Sequence, residues 1–170
     1  MENKTSQTIV YPVYQGLYVN LTNRCSCGCT FCIRRKASGV GSDGNGASNV
    51  LWLEHEPDFT EVMAAFDEQD MSRYNEVVFC GYGEPTCAFD VLKQVAAEVK
   101  RRYHLPTRIN TNGQGCLINK RDICPEFEGI IDTVSISLNA PTAEKYQENV
   151  RSEFGEQSFY AMLDFAREVR

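Results

Sequence analysis

The chain has 170 residues with a formal net charge of −6, and 42% of the residues are hydrophobic. This length and composition predict one globular domain with its own core, covering residues 1–170. The negative charge argues against nucleic acid as a partner. No apolar stretch is long enough to span a membrane, and the polar start "MENKTSQTIV" lacks a signal-peptide core, so we expect a cytoplasmic protein.

β-Forming residues predict four strands along the chain, at 17–21, 76–80, 107–111 and 133–138. After the first strand, residues 38–49 are rich in Gly, Ser and Asn and predict a flexible loop. Asp58, with Glu61 three residues later, predicts a capping box at the start of the first helix. Because strand and helix alternate about four times, we expect a parallel α/β sheet with helical crossovers.

The later helices are less uniform in pattern. Residues 118–128 contain Pro125 and predict either a weak helix or a loop. In the last helix, Phe159, Leu163 and Ala166 share one predicted apolar face.

Polar or glycine-rich segments directly follow all four predicted strands. In chain order they are "CSCGCTFC", "GYGEP", "TNG" and "SLNAP". In parallel α/β folds, ligands bind where the carboxyl ends of the strands meet. The sequence therefore predicts a binding site at this edge of the sheet.

Eight cysteines in a reducing compartment suggest metal binding or catalysis before disulfides. Four of them lie within residues 25–32. A structural zinc site usually needs a second ligand pair, and the remaining cysteines, Cys80, Cys87, Cys116 and Cys124, are scattered in the sequence. A redox Cys-x2-Cys at Cys29 and Cys32 leaves Cys25 unexplained. The Cys-x2-Cys-x2-Cys run of bacterial ferredoxins is absent.

The spacing Cys25-x3-Cys29-x2-Cys32 instead resembles the signature of radical S-adenosylmethionine (radical SAM) enzymes. Phe31 matches the aromatic position of that signature. The segment "GYGEP" resembles the Gly-Gly-Glu-Pro motif, with Tyr82 replacing its second residue. Together with "LYVNLTNRC", "INTNGQG" and "VSISLNAP", these motifs are closest to the TatD-linked radical SAM family.

The resemblance implies an enzyme with a [4Fe–4S] cluster held by Cys25, Cys29 and Cys32. Three thiolates leave one iron open, where S-adenosylmethionine would bind. Reductive cleavage of that cofactor would give a 5′-deoxyadenosyl radical, which abstracts hydrogen from a substrate that the sequence does not identify. The resemblance also implies an electron donor such as flavodoxin or ferredoxin. Cys27 has no place in the signature, so we expect it to be a bystander or a thiol that supports the ligands without binding iron.

The resemblance also implies that S-adenosylmethionine contacts several strand-end residues. The backbone of the "GYGEP" segment would receive the methionine amino group. Alternation along the fourth strand puts Ser135, Ser137 and Asn139 on one face, opposite Leu138. The resemblance assigns the ribose to this strand. The residues predicted to bind the cofactor are Phe31, Gly81, Tyr82, Gly83, Glu84, Asn112, Ser137 and Asn139.

The implied fold is a partial, TIM-like (β/α) barrel of the radical SAM type. Such a core has about six strand–helix units, whereas the sequence predicts about four, so we expect an incomplete core truncated at its C-terminus. Two alternatives stay open. One is an iron–sulfur protein with an electron-transfer or structural role and no radical chemistry. The other is a zinc-binding interaction module.

Overall fold

The computed structural model describes residues 7–34 and 51–170, and the predicted loop 38–49 lies outside them. The strands are β1 (Val10–Val13), β2 (Gly16–Val19), β3 (Glu76–Phe79), β4 (Thr107–Thr111) and β5 (Thr133–Ile136). The helices are α1 (Phe59–Asp67), α2 (Phe89–Tyr103), α3 (Gly115–Asn119), α4 (Ala143–Val150) and α5 (Gln157–Glu168). Short 3-10 helices occupy Met71–Arg73, Pro85–Ala88 and Cys124–Phe127.

The five strands form one sheet in the order β1-β2-β3-β4-β5. Strands β2 to β5 are parallel, which confirms the predicted α/β fold. Sequential parallel strands with helical crossovers are the arrangement of a (β/α) barrel. The sheet is not closed, so it corresponds to a partial barrel.

Strand β1 was not predicted from the sequence. It pairs antiparallel with β2 through a tight hairpin in which Tyr14 adopts a positive φ of 53°. The strand is only four residues long and contains Pro12, a residue that is depleted in strands. Among the described residues its one partner in the sheet is β2, so Pro12 lies on an edge strand, where it can be accommodated.

The main core lies between the sheet and helices α1 and α2. Alternate strand residues such as Leu17, Val77 and Ile109 are fully buried in it. The opposite face of the same strands carries polar groups, and Arg108 of β4 donates hydrogen bonds there to Glu76 of β3. This division of the two faces follows from the two-residue period of a strand.

The predicted start of α1 is confirmed, whereas the predicted apolar face of the last helix is only partly correct. Asp58 and Glu61 form the predicted capping box at α1. The buried side of α5 consists of Ser158, Phe159, Met162 and Phe165, so the predicted Phe159–Leu163–Ala166 face is only partly correct. This helix contributes Phe165 to the main core and Met162 to a smaller second core. The buried surface of α5 is therefore divided between the main core and the second core.

The end of β5 also differs from the prediction. The strand stops at Ile136, and Leu138 is 60% exposed instead of packing beside Val134 and Ile136. No helix within the described ranges is long and apolar enough to cross a membrane.

Candidate functional site

The cysteine loop, residues 25–32, follows β2 and lies against the end of α4. The Gly28 amide donates to the Arg151 carbonyl (3.1 Å), and the Thr30 amide donates to the Asn149 carbonyl (2.9 Å). Cys27 and Ser152 form an isolated antiparallel bridge. The loop conformation is therefore held by backbone more than a hundred residues away in the chain.

The four thiols of the cysteine loop differ in their surroundings. Cys25, Cys29 and Cys32 are half-buried, whereas Cys27 is only 6% exposed. A hydrogen bond with Cys27, together with burial, raises the pKa of Cys25. Hydrogen bonding with Cys27 lowers the pKa of Cys29. The buried Cys27 thiol thus shifts the pKa of the cysteines on both sides of it in opposite directions.

Two side-chain amides lie within hydrogen-bonding distance of the Cys27 sulfur. Gln114 Nε2 lies 3.3 Å from it and Asn112 Nδ2 lies 3.4 Å from it. Cys27 also packs with Tyr146 and other residues of the second core. Cys25 lowers the pKa of the Cys27 thiol, but Cys29 and burial outweigh this effect and raise it to about 11.

Gln114 is a site residue that the sequence did not reveal. Its side chain is fully buried, and its Oε1 accepts hydrogen bonds from Ser26 Oγ (2.9 Å) and Ser152 Oγ (2.8 Å). Its Nε2 also donates to Tyr146 Oη (3.2 Å). Gln114 therefore joins the cysteine loop, β4 and α4. The only sequence signal was its position directly after "TNG".

The "GYGEP" segment lies against the chain that leads into the cysteine loop. A Cβ on Gly81 would lie 2.0 Å from Asn20 Oδ1, and one on Gly83 would lie 2.2 Å from the Thr22 carbonyl oxygen. Only glycine permits such a close approach. The Glu84 amide then donates to the Arg24 carbonyl (2.8 Å).

Glu84 is buried, and burial raises its pKa. Its carboxylate accepts hydrogen bonds from Thr86 Oγ1 (2.8 Å), Thr111 Oγ1 (2.7 Å) and the Asn112 amide (2.8 Å). Both carboxylate oxygens are thus used within the protein. Glu84 connects the "GYGEP" segment to the end of β4.

The aromatic residues near the cysteine loop lie at different depths. Tyr82 is 5% exposed, and its ring centroid lies 6.4 Å from that of Trp52. Burial, with a smaller electrostatic contribution from nearby Cys32, raises the pKa of Tyr82. Phe31 is 52% exposed, so one side of its ring can contact a ligand.

Asn112 lies between the cysteine loop and Glu84, and its Nδ2 donates to Ser26 Oγ (3.1 Å). Ser137 is exposed just beyond β5, where its amide donates to the Thr111 carbonyl (3.0 Å). The half-buried Asn139 accepts at its carbonyl from Asn149 Nδ2 (3.5 Å). All four predicted strand-end segments therefore reach the same edge of the sheet, which we call the carboxyl edge.

Comparison with known protein families gives a match over residues 19–170 to the radical SAM superfamily. The chain belongs to the radical SAM superfamily. The matched part includes the cysteine loop, β3 to β5 and all the residues of the carboxyl edge described above. No curated protein matches the chain. Superfamily membership suggests an enzyme without specifying its reaction.

The donor set of this radical SAM chain fits the iron–sulfur cluster typical of the superfamily. Thiolates are the ligands that hold such clusters. Three half-buried thiols, Cys25, Cys29 and Cys32, occur in one loop at the carboxyl edge. All three are partly exposed, although Cys25 and Cys29 also pack against the second core, in which Cys27 is buried.

Outside the radical SAM motifs, the fold brings together a second group of potential metal ligands. Cys116, Asp122 and Cys124 place their donor atoms within 4.8 Å of one another. Within residues 7–34 and 51–170, no other three His, Cys, Asp or Glu side chains meet this criterion. Cys116 and Cys124 are scattered in the sequence, but they are neighbours in space.

Proposed function

We propose that the chain is a radical SAM enzyme in which Cys25, Cys29 and Cys32 hold a [4Fe–4S] cluster. The observation that carries this proposal is the set of three half-buried thiols, spaced as in the radical SAM signature, at the carboxyl edge. A cluster held there would supply the electron for cleavage of bound S-adenosylmethionine into methionine and a 5′-deoxyadenosyl radical, which would take hydrogen from a substrate.

The residues at the carboxyl edge would orient S-adenosylmethionine in different ways. Gly81, Tyr82 and Gly83 would present backbone groups to the methionine part, because close packing holds this segment beside the cysteine loop. Glu84 would fix that backbone through its bonds to Thr111 and Asn112. The segment would thus be positioned before the cofactor arrives, which reduces the ordering cost of binding.

The adenosyl part would extend toward the exposed side chains of the same edge. Phe31 has an accessible ring on which the adenosyl group can pack. Ser137 and Asn139 would contact the ribose, with Asn112 behind them. Hydroxyl and amide groups suit a ribose because they can both donate and accept hydrogen bonds.

The subfamily, the localisation and the electron donor are also proposed. We assign the chain to the TatD-linked radical SAM family, because the motifs of the carboxyl edge resemble those of that family. We propose a cytoplasmic enzyme with one core domain, reduced by a donor such as flavodoxin or ferredoxin. The high content of free cysteines supports a reducing compartment.

Anaerobic reconstitution with iron and sulfide tests the cluster assignment. Iron content and visible absorbance should fall to background in Cys25→Ala, Cys29→Ala and Cys32→Ala. Cys80→Ala is the matched control, since Cys80 is also half-buried but lies outside the loop. Full iron retention in any of the three loop variants would contradict the assignment of that ligand.

Addition of dithionite and S-adenosylmethionine tests the radical chemistry. Production of 5′-deoxyadenosine by the reconstituted chain supports the enzyme. A cluster that is reduced without cleavage of S-adenosylmethionine would instead support an electron-transfer or structural iron–sulfur protein. Zinc without iron in the purified chain would support the interaction module.

A further inference from the structure

The second cysteine group lies at the turn between α3 and the 3-10 helix Cys124–Phe127. Cys116 belongs to α3, Asp122 lies in the connecting turn, and Cys124 begins the 3-10 helix. The two sulfurs are 3.7 Å apart, and Cys116 Sγ lies 3.6 Å from Asp122 Oδ1. Two soft donors and one carboxylate oxygen therefore converge within one short segment.

Two of the three donor separations match those of a tetrahedral zinc site, and the third pair, Cys124 and Asp122, lies within 4.8 Å. Zinc binds thiolate sulfur at about 2.3 Å and carboxylate oxygen at about 2.0–2.2 Å. Tetrahedral angles then put two sulfurs about 3.8 Å apart and a sulfur and an oxygen about 3.6 Å apart. The observed separations of 3.7 Å and 3.6 Å agree with both values. The donors need little movement to reach a common metal ion.

Backbone hydrogen bonds hold this turn in place. The Cys124 amide donates to Asp122 Oδ1 (2.9 Å), which orients the carboxylate toward the thiols. The Arg121 amide donates to the Cys116 carbonyl (3.2 Å). Bonds of this kind commonly orient metal ligands.

The Asp122 carboxylate and the two thiols of the turn favour the binding of a cation. The Arg121 side chain forms an ion pair with Glu126, so its charge is directed to that carboxylate. Binding of a divalent cation would displace the protons of both thiols, so that two thiolates and the Asp122 carboxylate would surround it with three negative charges. A divalent cation offsets most of this charge, and the mixture of sulfur and oxygen donors suits zinc better than magnesium or calcium.

We propose that Cys116, Asp122 and Cys124 form a zinc site separate from the cysteine loop. Asp122 and Cys124 also line a surface cleft of about 480 Å³, which gives water access to the fourth position. The zinc ion would connect α3 to the following 3-10 helix. Since α3 begins directly after Gln114, it would stabilise the segment that supports the cysteine loop.

Metal titration of the full 170-residue chain tests this site. The parent carries Cys25→Ser, Cys29→Ser and Cys32→Ser, so that the proposed cluster ligands cannot bind the added metal. The reduced, metal-free parent should bind about one equivalent of Co²⁺ with the absorption of a tetrahedral thiolate complex. Zn²⁺ should displace the Co²⁺ and raise the thermal midpoint of unfolding.

Variants of the parent locate the bound metal. Adding Cys116→Ser and Cys124→Ser should weaken zinc binding at least about 100-fold. The matched control, Cys80→Ser with Cys87→Ser, should bind as the parent does. Asp122→Asn keeps an oxygen that can accept from the Cys124 amide, yet it should weaken binding about 10- to 100-fold.

Circular dichroism checks that each variant folds. If the variant that lacks both Cys116 and Cys124 does not fold, zinc binding is measured in Asp122→Asn and Cys116→Ser instead. Cys116 is half-buried. Equal zinc binding by the parent and these variants would overturn the proposal. A reduced parent that binds no zinc would also overturn it, including the case in which Cys116 and Cys124 only form a disulfide in air.

Discussion

The cysteine loop and the "GYGEP" segment lie side by side at the carboxyl edge, but they offer a ligand different things. The loop presents the half-buried thiols of Cys25, Cys29 and Cys32. In the neighbouring segment, Tyr82 and Glu84 are buried, and the Glu84 carboxylate bonds to the protein. In the proposed enzyme, one side of the candidate site would therefore supply ligand atoms, and the other would supply a fixed backbone.

We expect Glu84 to serve the site through the backbone that it fixes. Glu84 is as prominent in the sequence as the cysteines, yet its visible partners are Thr86, Thr111 and Asn112. We expect substitutions in the "GYGEP" segment to change stability first. Substitutions of the three half-buried thiols should change metal content first.

The largest effect should come from Gly83→Ala. The new Cβ would lie 2.2 Å from the Thr22 carbonyl oxygen and 2.5 Å from that of Arg24. Relief of such contacts requires a backbone shift, so we expect the free energy of unfolding to fall by about 3 kcal/mol. Denaturant unfolding measures the loss.

Gly28→Ala in the cysteine loop is the matched control for Gly83→Ala. Its new Cβ would lie 3.8 Å from the nearest atoms of Arg151, an ordinary contact. The stability of this variant should stay within about 1 kcal/mol of the unaltered chain. Equal losses in the two variants would contradict the close packing of the "GYGEP" segment.

A smaller loss, about 2 kcal/mol, is expected for Glu84→Gln. The glutamine amide would face donors from Thr86, Thr111 or Asn112, so at least one buried hydrogen bond would be lost. Chemical denaturation measures the change, and isothermal titration with S-adenosylmethionine measures binding by the variant. Unchanged stability with lost binding would indicate that Glu84 contacts the cofactor directly.

Cys27→Ala tests whether the buried thiol of the cysteine loop differs in role from the other three. Removal of the sulfur leaves the amide donors of Gln114 and Asn112 without this acceptor, so we expect a loss of about 1 kcal/mol. Iron content after reconstitution should equal that of the unaltered chain. If the iron is lost, Cys27 is a ligand and the division of the four thiols is wrong.

The smallest effect is expected for the pH dependence of stability that arises from an exposed ion pair, Arg24 with Glu56, beside both segments. Arg24 donates to both Glu56 oxygens, at 2.6 and 2.7 Å, and holds the pKa of Glu56 below its ordinary value of 4.5. A lowered folded-state pKa stabilises the fold above the ordinary value. This contribution is lost as the pH falls through the folded-state value.

Thermal unfolding as a function of pH measures the contribution of Glu56. The unaltered chain should be slightly more stable than Glu56→Gln at neutral pH, because exposed ion pairs contribute little. The difference should shrink below pH 4.5, the ordinary pKa of this carboxyl. A constant difference down to strongly acidic pH would show that Glu56 acts without its charge.

Much of the fold could be predicted because its signals are local. The capping box of Asp58 and Glu61 spans three residues, and strands β2 to β5 each combine β-forming residues with a clear stop. Strand β1 was missed since Pro12 weakens its pattern, and its pairing depends on the neighbouring β2. The buried face of α5 was only partly predicted because two separate cores share that helix.

The sequence alone determined the spacing of Cys25, Cys29 and Cys32 and the order of the strand-end motifs, because both are properties of short, continuous segments. Only the tertiary structure decided which polar groups meet. Gln114 contacts Ser26 across 88 residues of chain and Ser152 across 38 residues. Cys116 and Cys124 become neighbours only because the turn between α3 and the next 3-10 helix folds back. Such contacts depend on how elements pack, which no local pattern records.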